Sequence, residues 1–256
     1  MSPRQAPGDP GKVKIVVTVP TYNEIENIES LIAEILAQDD RIEVLVADDD
    51  SPDGTWQTVA ALAITEPRVH LLHRKTMRGR GHAGKAAYQW AIEKGADLAF
   101  EMDADFSHHP THLPAMIDAL TDHDVVLGSR QVEGGEDTRP AILRRWLTRA
   151  SNLYVRTLLG LPVADCNSGF RGFRKEALIA AGIDAVFSPG PAIVHELLFR
   201  ARLARCTMTE IPITFVDRDK GESTLTFATL LRSYVTILRL RSMAWTGKLA
   251  PPSKGS

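Results

Sequence analysis

Short apolar runs that stop abruptly at polar clusters, each followed by apolar positions at helical spacing, recur along the first half of the chain. That recurrence restricts the chain to an alternating strand and helix architecture. The run from Val13 to Val19 is β-branched and ends at Pro20. Ile25, Ile28, Leu31, Ile32, Ile35 and Leu36 then fall on one helical face, with Asn23 predicted as N-cap and Glu26 completing a capping box. Ile42 to Ala47 predicts a second strand, running into Asp48-Asp49-Asp50-Ser51-Pro52-Asp53-Gly54-Thr55 and a helix through Ala63. A third strand, Val69 to Leu72, leads into Arg74, Lys75, Arg78, Gly79, Arg80 and Gly81 and a helix over Ala83 to Lys94. Leu98 to Met102 is the fourth strand, Pro110 opens the next helix, and Val125 to Leu127 is a fifth strand ending at Gly128-Ser129-Arg130. The expected fold class is α/β, a mostly parallel sheet flanked by helices with right-handed crossovers.

In such open sheets ligands bind beyond the carboxyl ends of the strands. The clusters Pro20 to Glu24, Asp48 to Ser51, Asp103-Ala104-Asp105 and Gly128 to Arg130 all follow strand ends, so they are expected to converge on one edge. Each has an ordinary reading as turn chemistry when taken alone. Asp103 and Asp105, two residues apart on extended backbone, offer two carboxylates to one point. That suits Mg²⁺ or Mn²⁺, whose remaining ligands are water and phosphate oxygens.

With 256 residues, 44% of them hydrophobic, the chain can bury one large core. A formal net charge of -2 gives no global pull toward nucleic acid, and none is expected as a partner. Cys166 and Cys206 are too few for a disulfide framework and read as packing residues in a reducing cytosol. Residues 1–11 and 247–256 read as flexible tails around a domain over 12–224 and a C-terminal amphipathic helix over 225–246.

Taken in order, Pro20-Thr21-Tyr22-Asn23-Glu24, Asp48-Asp49 with Ser51-Pro52-Asp53-Gly54-Thr55, Asp103-Ala104-Asp105 with Ser107-His108-His109-Pro110, and Gly128-Ser129-Arg130 resemble the family 2 glycosyltransferases. Within that family the chain most resembles the dolichyl or polyprenyl phosphate mannose synthases. The likeness continues through Ser168-Gly169-Phe170-Arg171, Phe215-Val216-Asp217-Arg218 and Gly221-Glu222-Ser223. It implies a GT-A, Rossmann-like fold and inverting transfer of mannose from GDP-mannose to a polyprenyl monophosphate. Pro20, Tyr22, Glu24 and Asp49 would contact the nucleoside with Asp48 beside them, and Asp103 and Asp105 would hold the metal. Ser107 stands where some relatives have a glutamine ligand, and Arg218 matches an arginine that reaches the nucleotide phosphates. Arg130 and Arg144, with Thr148, match the residues that receive the acceptor phosphate, so transfer would depend chiefly on Asp105, Arg130 and Arg144. Asp165 and Glu196 are candidate sugar-hydroxyl partners. A phosphate monoester is mostly dianionic at pH 7, with a second pKa near ~6, so it serves as its own nucleophile.

The acceptor lives in a bilayer, yet no uncharged run is long enough to span one. Leu225 to Trp245, and likewise Ile142 to Leu161, mix apolar residues with arginines and read either as interfacial helices or as helices closing the sheet. The expected location is cytoplasmic, peripheral at the membrane surface. Gln131, Thr224, His195, Arg80 and His82 depart from the usual synthase pattern, which leaves open another nucleotide sugar or a soluble acceptor. A sugar-1-phosphate nucleotidyltransferase would carry its glycine-rich loop after the first strand, where this chain has Pro20 to Glu24. A non-catalytic binding module would not need Asp103, Asp105, Arg130 and Arg218 together.

Overall fold

The computed structural model describes residues 13–188, 190–216 and 227–249. β1 (Ile15–Thr21) is an inner strand of the main sheet and pairs in parallel with β2 (Ile42–Asp48) on one side and β4 (Leu98–Glu101) on the other. β3 (Val69–His73) extends the sheet beyond β2. Helices α1 (Ile28–Leu36), α2 (Thr55–Thr65) and α3 (Arg80–Glu93) connect these strands. The chain leaves β1 toward β2 and β3 and then returns to its other side at β4. That reversal opens a crevice at the carboxyl ends of β1 and β4, where the polar clusters sit.

Beyond β4 the sheet departs from a purely parallel pattern. After α4 (Leu113–Ala119) comes β5 (Val125–Ser129), but β7 (Arg171–Arg174) inserts antiparallel between β4 and β5. β8 (Met208–Pro212) runs parallel to β5 at the edge, giving the order β3-β2-β1-β4-β7-β5-β8. A two-stranded sheet pairs β6 (Glu136–Asp137) with β9 (Thr214–Phe215). Ile15, Val17 and Val19 face one core with α1, α2 and α4. Val16 and Leu45 face a second core with α3, α5 (Ile142–Leu159), α6 (Lys175–Ala180), α7 (Ile193–Leu203) and α8 (Phe227–Trp245). Full burial of each such aliphatic side chain contributes about 1.5–3 kcal/mol, and the period-two alternation on β1 supplies both faces.

The helix after β1 begins later than the sequence suggests. Asn23 is not its N-cap, because Asn23 takes a left-handed backbone with φ 61 and α1 starts at Ile28. The N–H groups that a cap would serve go to the loop after β2. Asn23 N donates to Ser51 Oγ at 3.0 Å, Glu24 N to Thr55 Oγ1 at 3.0 Å and Ile25 N to Asp53 Oδ2 at 3.1 Å. Long-range bonds therefore replace the local capping box. α3 begins earlier than expected, since Gly79 at φ 114 supplies the bend that lets Arg80 open it. Leu249, just past α8, is buried in the second core. No helix among the described residues is long and apolar enough to cross a membrane.

Candidate active site

The loops after β1 and β2 are stitched together by Asp48. Its carboxylate is buried and accepts from Thr21 Oγ1 at 2.7 Å, Ser51 N at 2.8 Å and Ser51 Oγ at 2.7 Å. Both of its oxygens are thus spent on holding the loop. Asp49, one residue on, faces the next loop, where it accepts from Gly79 N at 2.6 Å and pairs with Arg74. Asp50, at φ 60, pairs with Arg78 and, at 2.7 Å, with His73. Tyr22 is exposed at the mouth of this edge, with Pro20 and Glu24 half-buried on either side. Glu24 accepts from Asn27 Nδ2 at 3.1 Å.

At the end of β4 the backbone keeps Glu101, Asp103 and Asp105 two residues apart. Arg80 Nη2 donates to Glu101 Oε1 at 2.8 Å, and Arg80 Nη1 pairs with Asp103. Burial opposes the charge on Arg80, but Asp103 and Glu101 raise its pKa above the ordinary value. Asp105 is buried and accepts from Ser107 N at 3.1 Å. His108 is buried with its Nδ1 3.6 Å from Asp103 Oδ2, and neither ring nitrogen has a hydrogen-bond partner. Burial pushes its pKa down to about 4, so the ring is neutral at pH 7.

No cluster of three or more His, Cys, Asp or Glu side chains fit to hold a metal occurs among the described residues. Two carboxylates at a strand end still fit the expected ion, because Mg²⁺ and Mn²⁺ bind through one or two carboxylates plus phosphate oxygens. The surroundings keep room there. A Cβ at Gly169 would stand 2.8 Å from Asp103 Oδ2, so only glycine lets that loop pass the carboxylate.

The next group sits at the end of β5. Arg130 is nearly buried and binds the fully buried Asp165 through Nε to Oδ2 at 2.7 Å and Nη2 to Oδ1 at 2.9 Å. Arg130 N also donates to Asp165 Oδ2 at 3.1 Å, and Asn152 Nδ2 to Asp165 Oδ1 at 3.0 Å. Burial alone would raise the Asp165 pKa, but Arg130 and Asn152 hold it below the ordinary value. The Arg130 guanidinium lies 4.5 Å from the ring centroid of Phe215, and that of Arg139 lies 5.2 Å from the same ring. Arg139 is also paired with Asp137 at 2.6 Å and donates to Thr148 Oγ1 at 3.1 Å. Thr148 in turn donates to the Arg144 carbonyl at 2.9 Å. Arg144 itself is exposed on the first turns of α5. Phe215 bridges backbone with His108, which joins the segment beside Arg130 and Arg139 to the Asp103–Asp105 turn.

Two expected residues are turned inward. Asp165 is not open to a sugar hydroxyl, because its carboxylate is the buried counter-ion of Arg130. Glu196 is likewise fully buried. It accepts from Ser188 N at 2.9 Å, Ser188 Oγ at 2.5 Å and Arg200 Nε at 2.8 Å, so it fixes the segment before α7 instead of facing a ligand. His195 is buried with Nε2 3.0 Å from Asn167 Oδ1, on a chain that continues from Asn167 through Asn152 to Asp165. Arg218, Thr224 and the Gly221-Glu222-Ser223 segment lie outside the described residues. Sequence reasoning did not single out Arg139. Its one signal is the Asp137-Thr138-Arg139 alternation, which puts the carboxylate and the guanidinium on one side of an extended segment. A cavity of about 530 Å³ lined by Leu36, Leu62 and Arg68 lies near the start of β3, away from this edge.

A model of glycosyl transferase family 2 matches residues 16–182. The chain belongs to that family. This glycosyltransferase is 38% identical over 237 residues to the undecaprenyl-phosphate mannosyltransferase of Micrococcus luteus, covering 92% of this chain and 97% of that one. It is 37% identical to the polyprenol monophosphomannose synthase of Mycolicibacterium smegmatis, covering 84% and 83%. The dolichol-phosphate mannosyltransferase of Pyrococcus furiosus is 32% identical, with 93% of this chain and 66% of that one covered. Among solved structures it resembles glucosyl-3-phosphoglycerate synthase of Mycobacterium tuberculosis in complex with Mn²⁺, UDP-glucose and phosphoglyceric acid. That match has a TM-score of 0.66 at 19% identity and covers 95% of this chain and 82% of the other. The glycosyltransferase therefore has the GT-A fold, as its motif order implied.

Proposed function

We propose that this glycosyltransferase transfers mannose from GDP-mannose, with inversion, to the monophosphate of a polyprenyl lipid at a membrane surface. The observation that carries the reading is the pair of guanidinium groups, Arg130 and Arg139, brought over one Phe215 ring at the end of β5. Each guanidinium is balanced by its own carboxylate, Asp165 or Asp137, and both lie against the one ring beside which a phosphate would be received as a charge-assisted acceptor. Arg145 on α5 adds positive charge nearby, donating to the Asp137 carbonyl at 3.3 Å, and Arg144 precedes it in sequence. Similarity to polyprenyl-phosphate mannosyltransferases across most of the chain supports the same acceptor.

In this reading the nucleoside lies along the loops after β1 and β2, against Tyr22 and near Asp49, while Asp48 keeps those loops in place. Arg218 would reach the donor phosphates. Asp103 and Asp105 would hold a divalent cation, which supplies charge neutralisation for the departing diphosphate. The acceptor phosphate rests on Arg130, Arg139, Arg144 and Thr148 and needs no protein base, being already dianionic. Its oxygen forms a bond to the anomeric carbon from the face opposite the nucleotide. The bond from that carbon to the diphosphate oxygen breaks, and GDP leaves with the electron pair. The chain's own contribution is alignment of the two phosphates and a preorganised positive field around both.

Lipid access fits α5. Ile142, Leu143, Trp146, Leu147 and Leu153 are 61–72% exposed and alternate with Arg144 and Arg149. Val235, Leu238 and Trp245 on α8 are exposed as well, and Tyr154 meets Tyr234 edge to face at 5.3 Å between the two helices. The test is incubation with radiolabelled GDP-mannose, and separately UDP-glucose, in the presence of a short-chain polyprenyl phosphate. Label from GDP-mannose should enter the organic phase. Label that stays in the aqueous phase, or enters the lipid from UDP-glucose alone, would overturn the reading.

A further inference from the structure

Arg80 joins the basic, glycine-rich segment before α3 to the acidic end of β4. It opens α3 directly after Gly79, which takes φ 114. Its two terminal nitrogens are divided between carboxylates two residues apart, Nη2 to Glu101 Oε1 at 2.8 Å and Nη1 to Asp103. The pair is walled in. A Cβ at Gly169 would lie 3.2 Å from Arg80 Nη2 and 2.8 Å from Asp103 Oδ2, while a Cβ at Gly84 would lie 3.0 Å from Glu101 Oε2. Glu101 is buried, so its carboxylate has a standing need for that cation.

The consequence falls on Asp103. One of its oxygens already faces a positive charge, and an approaching divalent cation meets that charge at close range. Coulomb repulsion between a unit charge and a doubly charged ion a few ångströms apart is large even in a polarisable site. A nucleoside diphosphate changes the balance, because it brings negative oxygens to both cations. We infer that Arg80 sets the metal affinity of this site, keeping Asp103 from binding a divalent ion strongly until a nucleoside diphosphate is present. Metal and donor then bind as a unit, and Arg80 is a positioning residue for Asp103. The inference rests on the assignment of Asp103 and Asp105 as metal ligands.

The experiment titrates Mn²⁺ into the full chain by calorimetry, with and without GDP, for the unmutated protein, Arg80→Leu and Asp105→Asn. The unmutated protein should bind Mn²⁺ at least about ten-fold more tightly with GDP than without. In Arg80→Leu, Mn²⁺ alone should bind at least about ten-fold more tightly than to the unmutated protein, and the gain from GDP should shrink. Thermal unfolding in parallel reports whether the variant is folded. If Arg80→Leu does not fold, Arg80→Gln removes the charge while keeping a donor for Glu101, and the same outcomes apply. Unchanged or weaker Mn²⁺ binding in a folded Arg80 variant, alongside lost binding in Asp105→Asn, overturns the role of Arg80 and leaves the metal assignment standing. Mn²⁺ binding that survives Asp105→Asn overturns both.

Discussion

Arg130 and Asp165 form two parallel hydrogen bonds inside the protein, Nε to Oδ2 at 2.7 Å and Nη2 to Oδ1 at 2.9 Å, with Asp165 wholly buried. The fork fixes the plane of the guanidinium against Phe215 and so fixes the direction in which its remaining N–H groups point. The pair carries both stability and function, and its two variants separate them.

Asp165→Asn keeps the side-chain shape but leaves a nearly buried guanidinium without its counter-ion. Breaking such a pair from one side costs about 3–5 kcal/mol, to be read from denaturant unfolding. Arg130→Lys keeps a positive charge opposite Asp165 and loses the fork. It should unfold closer to the unmutated protein than Asp165→Asn does, yet transfer to the lipid phosphate at a reduced rate. Full transfer by Arg130→Lys would mean that the plane of the guanidinium is irrelevant to the acceptor.

Asp105 lies where lost ligation is separable from lost folding. Asp105 accepts from Ser107 N at 3.1 Å, a bond that an asparagine oxygen can also accept, so Asp105→Asn should cost no more than about 1 kcal/mol there. Transfer should vanish in excess chelator and return with Mg²⁺ or Mn²⁺. Asp105→Asn should lower kcat/KM by about a hundred-fold or more, the size seen when an electrostatic stabiliser of a developing charge is removed. Undiminished turnover in chelator would exclude the metal-assisted mechanism.

His195 links acid to stability. Burial and the nearby Arg171 guanidinium depress its pKa to about 3, so the folded protein keeps it neutral. In the unfolded chain a histidine titrates near ~6.5. The unfolded state therefore binds the extra proton below that pH, and stability is present above it and lost as pH falls toward 3. The contribution of this one group between pH 7 and pH 5 is about 2 kcal/mol. His195→Gln should show a correspondingly flatter fall of unfolding free energy over that window. His108, pushed down to about 4, remains in both proteins, so their difference isolates His195. Parallel pH curves for the two would place the acid sensitivity elsewhere.

The exposed apolar face of α5 predicts vesicle binding. Leu143 and Trp146 project from a helix that also carries Arg144 and Arg149, a composition that gains both burial and attraction at an anionic surface. The protein should float with anionic vesicles at low ionic strength and be released by salt, as screening shortens to about 10 Å near 0.1 M. Leu143→Asp with Trp146→Asp should abolish flotation and leave the unfolding curve in place, since both side chains already face solvent. Unaltered flotation would assign the surface to α8 or to another face.

What could be read from the chain itself followed from local pattern. The β-branched run before Pro20 and the apolar run before Asp103 marked strands whose ends meet at one edge, because strand composition and turn residues are local signals. β7 escaped because Arg-Gly-Phe-Arg has neither a run nor an alternation of apolar residues, and its place between β4 and β5 is set by pairing with Phe100 and Val126. Asn23 carried every sign of an N-cap and lost that role to hydrogen bonds from a loop 28 residues away. Asp165 and Glu196 have the composition of ligand residues, and only their tertiary partners, Arg130 and Arg200, reveal them as internal counter-ions. Arg80 was legible as a basic residue beside glycines, but its pairing with Glu101 and Asp103 spans 21 and 23 positions of sequence. Local chemistry thus marked the strand-end clusters, while the partners that decide each charge came from the fold.

Arg144 offers the cleanest test of the acceptor side, because it is not part of a buried pair. It is exposed on α5, and only its carbonyl is tied down, by Thr148 Oγ1 at 2.9 Å. Arg144→Ala should therefore change unfolding free energy by less than about 0.5 kcal/mol, unlike substitution of Arg130. If its guanidinium grips the dianionic phosphate, one charge-assisted bond is lost, worth about 1.5–3 kcal/mol, or roughly ten- to a hundred-fold in kcat/KM for the lipid phosphate. Affinity for GDP, measured by calorimetry, should barely move, because the proposed donor site lies along the loops after β1 and β2. Arg144→Lys should recover part of the rate, since a point charge serves a phosphate without the fork. Transfer at the unmutated rate by Arg144→Ala, or a loss of GDP binding in proportion to activity, would place the acceptor phosphate on Arg130 and Arg139 alone.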